Sequence, residues 1–460
     1  MRAVPFVSAT VCAALLAGCA LGPRPQAPVV TTPQAWNAPA DAARWPTADW
    51  WRGFGSVELD RLIVTAQANN DDLAAATARV READAQARIA GAALLPTLNA
   101  EPVANYQRRL NPIGNVREYG TLNGVFNASY EIDVWGKNHD AHLSAIRLAQ
   151  ATADALEVTR LTIVTSVAAT YFNLLATQDR IAVARAQTKL AQQILNGLLV
   201  QQQAGIATGL QVAQQRTVAQ TLAAALPPLE TQRVHLVDAL AILVGRVPEG
   251  FTVTGGSLNG LRLPSITAGL PSELLLHRPD VQAAERDLAA ADANVSVARK
   301  TFLPSFSLTG GGGVGSIALA RSFAGPIGLF DIGLNILGPI FDGGRRRGQL
   351  QYNNAYYQEI AANYQKSIHQ AFGDVEDALS TEQNARQAVS LQANATASAT
   401  QALSMARIGY GAGVSDILTL VSAQQALITT QAQQTQAQLD RAQGLVALYK
   451  ALGGGWRLPS

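Results

Sequence analysis

The chain is poor in the residues on which most active sites depend. Of its 460 residues only two are cysteine, Cys12 and Cys19, both near the start, so no disulfide framework staples the body of the protein. The methionines are Met1 and Met405, which argues against a dedicated copper exporter. His139 and His142 stand three apart with no acid cluster beyond Asp140, a pattern of surface histidines rather than of a metal site. HExxH, GxSxG and P-loop motifs are missing, and the glycines at 310–313 are not followed by Gly-Lys-Ser/Thr. Neither an enzyme nor a cofactor is expected. A formal net charge of +2 is too small for an electrostatic nucleic-acid binder, and Arg345-Arg346-Arg347 is the one dense basic run. Aromatics make up only 6% against 48% hydrophobic residues overall, so the apolar content is largely alanine, leucine and valine. That suits close-packed helices better than a bulky globular core.

The start reads as a secretion signal over residues 1–18. Arg2 supplies the positive end, and residues 4–16 are mostly apolar but too short to span a bilayer. Leu16-Ala17-Gly18-Cys19 resembles the bacterial lipobox, which implies a mature chain beginning at a lipidated Cys19. Ala20 follows in place of the aspartate that retains such lipoproteins at the inner membrane, so outer-membrane sorting is implied. Cys12 is discarded with the signal. Residues 19–48 are rich in proline and alanine and read as an extended tether.

Two proline-free stretches, 138–205 and 346–409, organise the rest. Leu143, Ile146, Ala149, Ala153, Leu156, Ile163, Val167, Tyr171 and Leu174 recur at steps of three and four or their multiples, the period of an amphipathic helix. A helix of roughly 65 residues would be about 100 Å long, far beyond the usual helix of about 11–12 residues. The two stretches belong to an internal repeat. Asp72 corresponds to Asp280, Leu95-Pro96 to Leu303-Pro304, Gly136 to Gly344, Gly205 to Gly413 and Gly245 to Gly453, all at an offset of 208. Residues 49–260 and 261–460 form the two copies, each reading helix, strand, strand, long helix, second helix. Only the first copy carries Pro227-Pro228, where the returning helix must kink or break; the equivalent Thr435-Gln436 has no proline.

The strands alternate. Phe126, Ala128, Tyr130, Ile132 and Val134 interleave with Asn127, Ser129, Glu131 and Asp133, and Phe330, Ile332, Leu334 and Ile336 with Asp331, Gly333 and Asn335. Phe306 and Leu308 repeat the pattern after the second Leu-Pro pair. Aromatics and aliphatics on one face are what a lipid-facing barrel strand requires, although a half-buried strand of a soluble sandwich has the same period. Residues 108–121 and 316–329 read as the loops joining the strands of each hairpin. In a bilayer no strand edge can stay open, because each unpaired backbone group costs several kcal/mol. About four strands cannot close a barrel when the small ones use about eight, so several copies of the chain must share one. The arginine run at 345–347 then reads as an interfacial anchor.

With Trp50-Trp51-Arg52-Gly53-Phe54, the Leu-Pro pairs, residues 130–137 (Tyr-Glu-Ile-Asp-Val-Trp-Gly-Lys), His277-Arg278-Pro279-Asp280-Val281, Phe341-Asp342-Gly343-Gly344 and residues 448–456 together, the chain resembles the outer-membrane factors of tripartite efflux pumps, of TolC/OprM type and of the lipoprotein (NodT-like) branch. The resemblance spans nearly the whole mature chain. It implies an α+β membrane protein: a homotrimer with a shared twelve-stranded barrel in the outer membrane and a long twelve-helix tunnel in the periplasm. It would be a passive, gated exit duct for drugs or small molecules that docks a periplasmic adaptor (membrane-fusion) protein and an inner-membrane transporter of RND type. A protein-secretion duct of the same fold and a periplasmic coiled-coil scaffold lipoprotein are the alternatives.

In that family the tunnel closes where the helix-to-helix turns meet, here 204–209 with Gly205 and Gly209, and 411–416 with Gly411 and Gly413. These four glycines suit tight reversals and mark the surface where an adaptor would dock. Tyr410 matches a family tyrosine that helps hold the mouth shut. The family's carboxylates just past the second turn are replaced here by Thr419 and Ser422. No acid lies between Asp179 and Glu230, and only Asp416 between Glu382 and Asp440, so Asp416 is the single candidate for a charged ring. A helix N-cap is its equally simple alternative.

Overall fold

The computed structural model describes residues 32–37, 45–110, 112–264, 269, 271–316 and 327–456. Cys19, the signal sequence and most of the 19–48 stretch lie outside the described residues. Helices α1 (Val57–Asn69), α2 (Asp71–Ala92), α3 (Lys137–Gln203), α4 (Gly209–Ala224) and α5 (Leu226–Leu243) belong to the first half of the chain, with strands β1 (Thr97–Leu110) and β2 (Val116–Ile132). The second half holds α6 (Pro271–His277), α7 (Pro279–Lys300), β3 (Ser305–Ser316), β4 (Ile327–Leu337), α8 (Arg345–Gly411) and α9 (Ile417–Ala451). Helices α3 and α8 are each 67 residues long and stand 208 positions apart at both ends.

The expected break at the prolines is present: α4 stops at Ala224, Ala225 intervenes, and α5 carries prolines in its first turn, where a missing N–H costs nothing. Without prolines, α9 runs unbroken for 35 residues over the same stretch of the second half. Between strand and long helix, Gly136, Gly343 and Gly344 all take positive φ.

These elements gather into two compact units that cut across both halves. Among the described residues, one comprises Val80–Thr152 and Ala283–Gln365; the other comprises those from 32 to Arg79, Ala153–Gln282 and those from Lys366 onward.

In the first unit the four strands form one antiparallel sheet in the order β1-β2-β3-β4. The register sorts the side chains by face. Leu98 and Ala100 oppose Ala128 and Phe126; these oppose Gly310 and Gly312, and Tyr130 and Ile132 oppose Leu308 and Phe306. Phe330, Ile332, Leu334 and Ile336 complete the same face on β4. Directly opposed residues share a face, so one surface of the sheet is apolar from edge to edge. The other collects Asn99, Asn127, Gly311 and Asp331 in one row and Thr97, Ser129, Thr309 and Gly333 in the next. There Asn127 Nδ2 donates to Glu101 Oε2 at 3.1 Å. The first hairpin loop is shorter than the 108–121 span expected from sequence: β1 continues to Leu110 and β2 begins at Val116. The residues flanking the Asn-Pro turn signal are strand because they pair with each other, with Arg108 Nε 3.0 Å from Glu118 and Tyr106 donating to Glu118 at 2.7 Å. In the second hairpin residues 327–329 are likewise strand, and 317–326 lie outside the described residues. Beneath the sheet α7 packs on α8 through Leu288, Val295, Leu350 and Tyr357. His142 is not a free surface histidine, since its Nδ1 stands 3.0 Å from the Ala87 carbonyl.

The second unit holds the main core, in which Trp50, Phe54, Phe172, Leu174, Leu240 and Leu445 are buried. Trp50 stacks on Tyr449 at 4.4 Å between centroids, and Phe54 meets Phe172 at 4.9 Å. Burial pushes the Tyr449 phenol up to about 12. Two tryptophans of the 19–48 stretch dock here as well: Trp36 packs on Phe372, and Trp45 stacks on His277 at 4.2 Å.

The repeat is visible in this core at atomic detail. Asn70 Nδ2 donates to the Leu243 carbonyl at 2.9 Å, and 208 positions on Arg278 Nη1 donates to Ala451 at 3.4 Å. In each half, therefore, the residue preceding α2 or α7 ties off the end of the returning helix. Arg278 is buried, and that burial works to lower its pKa; Asp280 at 2.6 Å and Asp374 at 2.9 Å more than offset it, so the net shift is upward. Gly245 and Gly453 follow the same rule. Both have positive φ, and a Cβ on either would collide with the carbonyl oxygen of Asn69 or His277.

Candidate functional site

The two helix-to-helix turns are built alike. At the first, the Gly205 N–H donates to Gln202 O at 3.0 Å and the Ile206 N–H to Gln201 O at 2.8 Å. At the second, Gly413 donates to Tyr410 O at 3.1 Å and Val414 to Gly409 O at 2.9 Å. This is the Schellman closure of a helix C-terminus, which requires a left-handed residue. Gly205 and Gly413 supply it with φ of 76° and 75°. Gly209 and Gly411 do not take part in the reversal. They have helical geometry as the first residue of α4 and the last of α8, and their φ is not positive.

Each outgoing helix is then capped. Thr208 accepts from the Gln211 N–H while Gln211 Oε1 accepts from the Thr208 N–H, a complete capping box. Asp416, at the equivalent position, accepts from the Thr419 N–H at 2.8 Å and from the Thr419 hydroxyl at 2.6 Å, both through Oδ1. The Thr419 hydroxyl first, and its N–H second, hold the Asp416 carboxyl below the usual aspartate range. Asp416 is thus an N-cap, and it is exposed.

Tyr410 joins the two turns. Its hydroxyl donates to Gln201 Oε1 at 2.9 Å, linking the end of α8 to the end of α3, and partial burial raises its pKa. Behind this bond α3, α4, α8 and α9 share a core of Leu195, Leu198, Val212, Leu403, Ile417 and Leu420, with Tyr410 packed against it. Sequence reasoning found Tyr410 and Asp416 but missed Gln201 and the capping half of Thr419. A glutamine among many carries no signal until its helix is aligned with its counterpart.

Also missed was an apolar set on the outside of both turns. Val200, Ile206 and Leu210 are exposed, and so are Ile408, Val414 and Leu418, each 208 positions later. Six large aliphatics left open at matched positions are unusual for a surface with no partner. Charge there is one-sided: over residues 180–229 and 383–439 Arg180, Arg185, Lys189, Arg216, Arg386 and Arg407 face one acid, Asp416.

A family model described as outer membrane efflux protein matches the chain twice, at residues 62–246 and 270–454, bounds that again differ by 208. The pyoverdine export outer membrane protein OpmQ of Pseudomonas putida is 38% identical over 448 residues, covering 95% of each chain. The cation efflux system protein CusC of Escherichia coli is 32% identical over 458 residues, 97% of this chain and 98% of that protein. A crystal structure of CusC superposes with a TM-score of 0.84 at 30% identity, covering 95% of this chain and all of the other.

Proposed function

From its membership of the outer membrane efflux protein family, and hence its place in the outer membrane, we propose that this chain is the passive, gated exit duct of a tripartite small-molecule efflux pump. One observation carries the reading: a single four-stranded sheet that is apolar on one face, polar on the other, and open at both edges, β1 and β4. With lipid on the apolar face, those edges are tolerable only if β4 of one copy pairs with β1 of the next. Three copies would give the twelve-stranded barrel and twelve-helix tunnel that the TolC/OprM resemblance implies, with the polar rows of Asn99, Asn127 and Asp331 lining the lumen. Lipid on Cys19, after removal of residues 1–18, would add a second anchor through the 19–48 tether.

The helix-turn tip is then the periplasmic mouth. The Tyr410–Gln201 bond, made between the two hairpins of one protomer, is the contact whose loss would let them part. The exposed aliphatics around Gly205 and Gly413 are the surface that a periplasmic adaptor would cover, with an inner-membrane transporter of RND type behind it. The relatives are named for pyoverdine and for cations, and substrate choice in this system is assigned here to the inner-membrane partner.

Conductance across a planar bilayer tests the reading. The purified oligomer should give small, mostly closed currents, and Tyr410→Phe, which removes only the hydroxyl bonded to Gln201, should raise the open fraction several-fold. A folded, heat-resistant oligomer that neither inserts nor conducts would overturn it.

A further inference from the structure

A cavity of about 230 Å³ lies where the sheet hands over to the helices, lined by Trp135, Lys137, Lys300, Arg345 and Arg346 among others. Four cations thus border one small space, against two lining carboxylates, Glu131 and Asp133. Both carboxylates are engaged: Glu131 pairs with Lys137 at 2.6 Å, and Asp133 accepts the His139 N–H at 2.7 Å. Lys300 is held by Asp140 at 2.6 Å and Arg346 by Asp342 at 3.3 Å. Arg345 is exposed; its backbone N–H donates to Asp342 O at 3.4 Å, and its guanidinium, which lends Asp342 a long-range electrostatic attraction, makes no ion pair or hydrogen bond among the described residues. The cavity therefore has an uncommitted guanidinium at its mouth.

Its depth is set by the strands. The apolar row of β2 ends at Ile132 on the cavity's own wall, Val134, Trp135 and Leu337 line it while staying exposed, and the exposed Ile340 and Phe341 follow the lining Pro339 in the chain. Trp135 is fixed by its Nε1 donating to the Pro304 carbonyl at 2.8 Å. An indole beside a cationic pocket at the end of an apolar band is the arrangement of a membrane–water boundary, where headgroup phosphates sit.

We propose that this cavity holds the phosphodiester of an anionic phospholipid from the periplasmic leaflet, with Arg345 and Arg346 on the phosphate and the acyl chains against Ile340 and Phe341. The site would fix the depth of the barrel, and the Arg345 guanidinium, which makes no hydrogen bond among the described residues, favours anionic over zwitterionic headgroups. The inference rests on membrane insertion of the sheet.

The test is native mass spectrometry of the detergent-purified oligomer after incubation with phosphatidylglycerol or phosphatidylcholine vesicles. Phosphatidylglycerol should be retained, Arg345→Gln should cut retention about ten-fold, and Arg347→Gln, outside the cavity wall, should leave it unchanged. Because the Arg345 side chain makes no hydrogen bond or ion pair among the described residues, its variant should keep the oligomer intact, and Arg345→Lys should restore part of the binding. Equal retention by the wild type and Arg345→Gln, or equal losses in Arg345→Gln and Arg347→Gln, would overturn the site. Displacement of phosphatidylglycerol by millimolar inorganic phosphate would make it a free-anion site and overturn the lipid assignment. No retention of either lipid by an oligomer that still inserts and conducts would overturn the site and leave the inserted sheet standing, whereas an oligomer that does neither would overturn both.

Discussion

An aspartate at the head of a helix both caps it and charges it, and at Asp416 one substitution can pull the two apart. Asn is as good an N-cap as Asp, so Asp416→Asn should keep the bond to the Thr419 N–H and the fold of the turn while removing the charge. Reversal potentials in a salt gradient then report the charge alone. A shift toward anions in Asp416→Asn is expected if the carboxylate lies in the mouth, and unaltered selectivity would leave Asp416 as a cap only. The pH dependence follows from the direction of its shift. A carboxyl whose folded pKa lies below its unfolded value contributes stability that is fully present above the unfolded value of about 3.9 and is lost as pH falls through the folded one. Asp416→Asn should therefore abolish any acid-induced loosening of this turn between those limits, as read by proteolysis of the tip.

At the scale of elements the two halves provide an internal control. Pro227 and Pro228 end one helix and begin another, whereas Thr435 and Gln436 sit inside the unbroken α9. Gln436→Pro should cost about 3 kcal/mol or more by removing an interior hydrogen bond and clashing with the preceding turn. Pro228→Ala should cost far less, and thermal melts of the two variants would measure the gap. Much of this layer was legible in the sequence. Period and missing prolines gave the long helices; the offset of 208 gave the order of elements; alternation gave the sheet and its apolar face. Hairpin length was not legible, because Arg108, Glu118 and their neighbours look like loop residues and become strand only by pairing with each other. Nor was the choice among four glycines: only Gly205 and Gly413 occupy the left-handed position, and a sequence does not state φ. Gln201 stayed hidden because its importance comes entirely from Tyr410 standing 2.9 Å away.

Across the whole molecule, the argument from sheet to oligomer turns on which face meets lipid. Ile332 and Asn335 lie on the same strand and belong to opposite faces, Ile332 in the row with Gly310 and Asn335 opposite Ser307. An arginine on the lipid face of a barrel costs about 2–4 kcal/mol near the midplane, while a lumenal one is solvated. In a closed oligomer that cost recurs in every copy, so Ile332→Arg should deplete the heat-resistant oligomer on a semi-native gel. Asn335→Arg, which carries the same charge three residues away, should leave the oligomer intact and change only conductance. Equal loss in both variants would mean that the strand tolerates arginine nowhere. Equal survival would mean that neither face touches lipid, and then the open edges at β1 and β4 would need another explanation than closure between copies. The contrast between the two positions, more than the effect at either, decides whether one chain's half-open sheet becomes a pore.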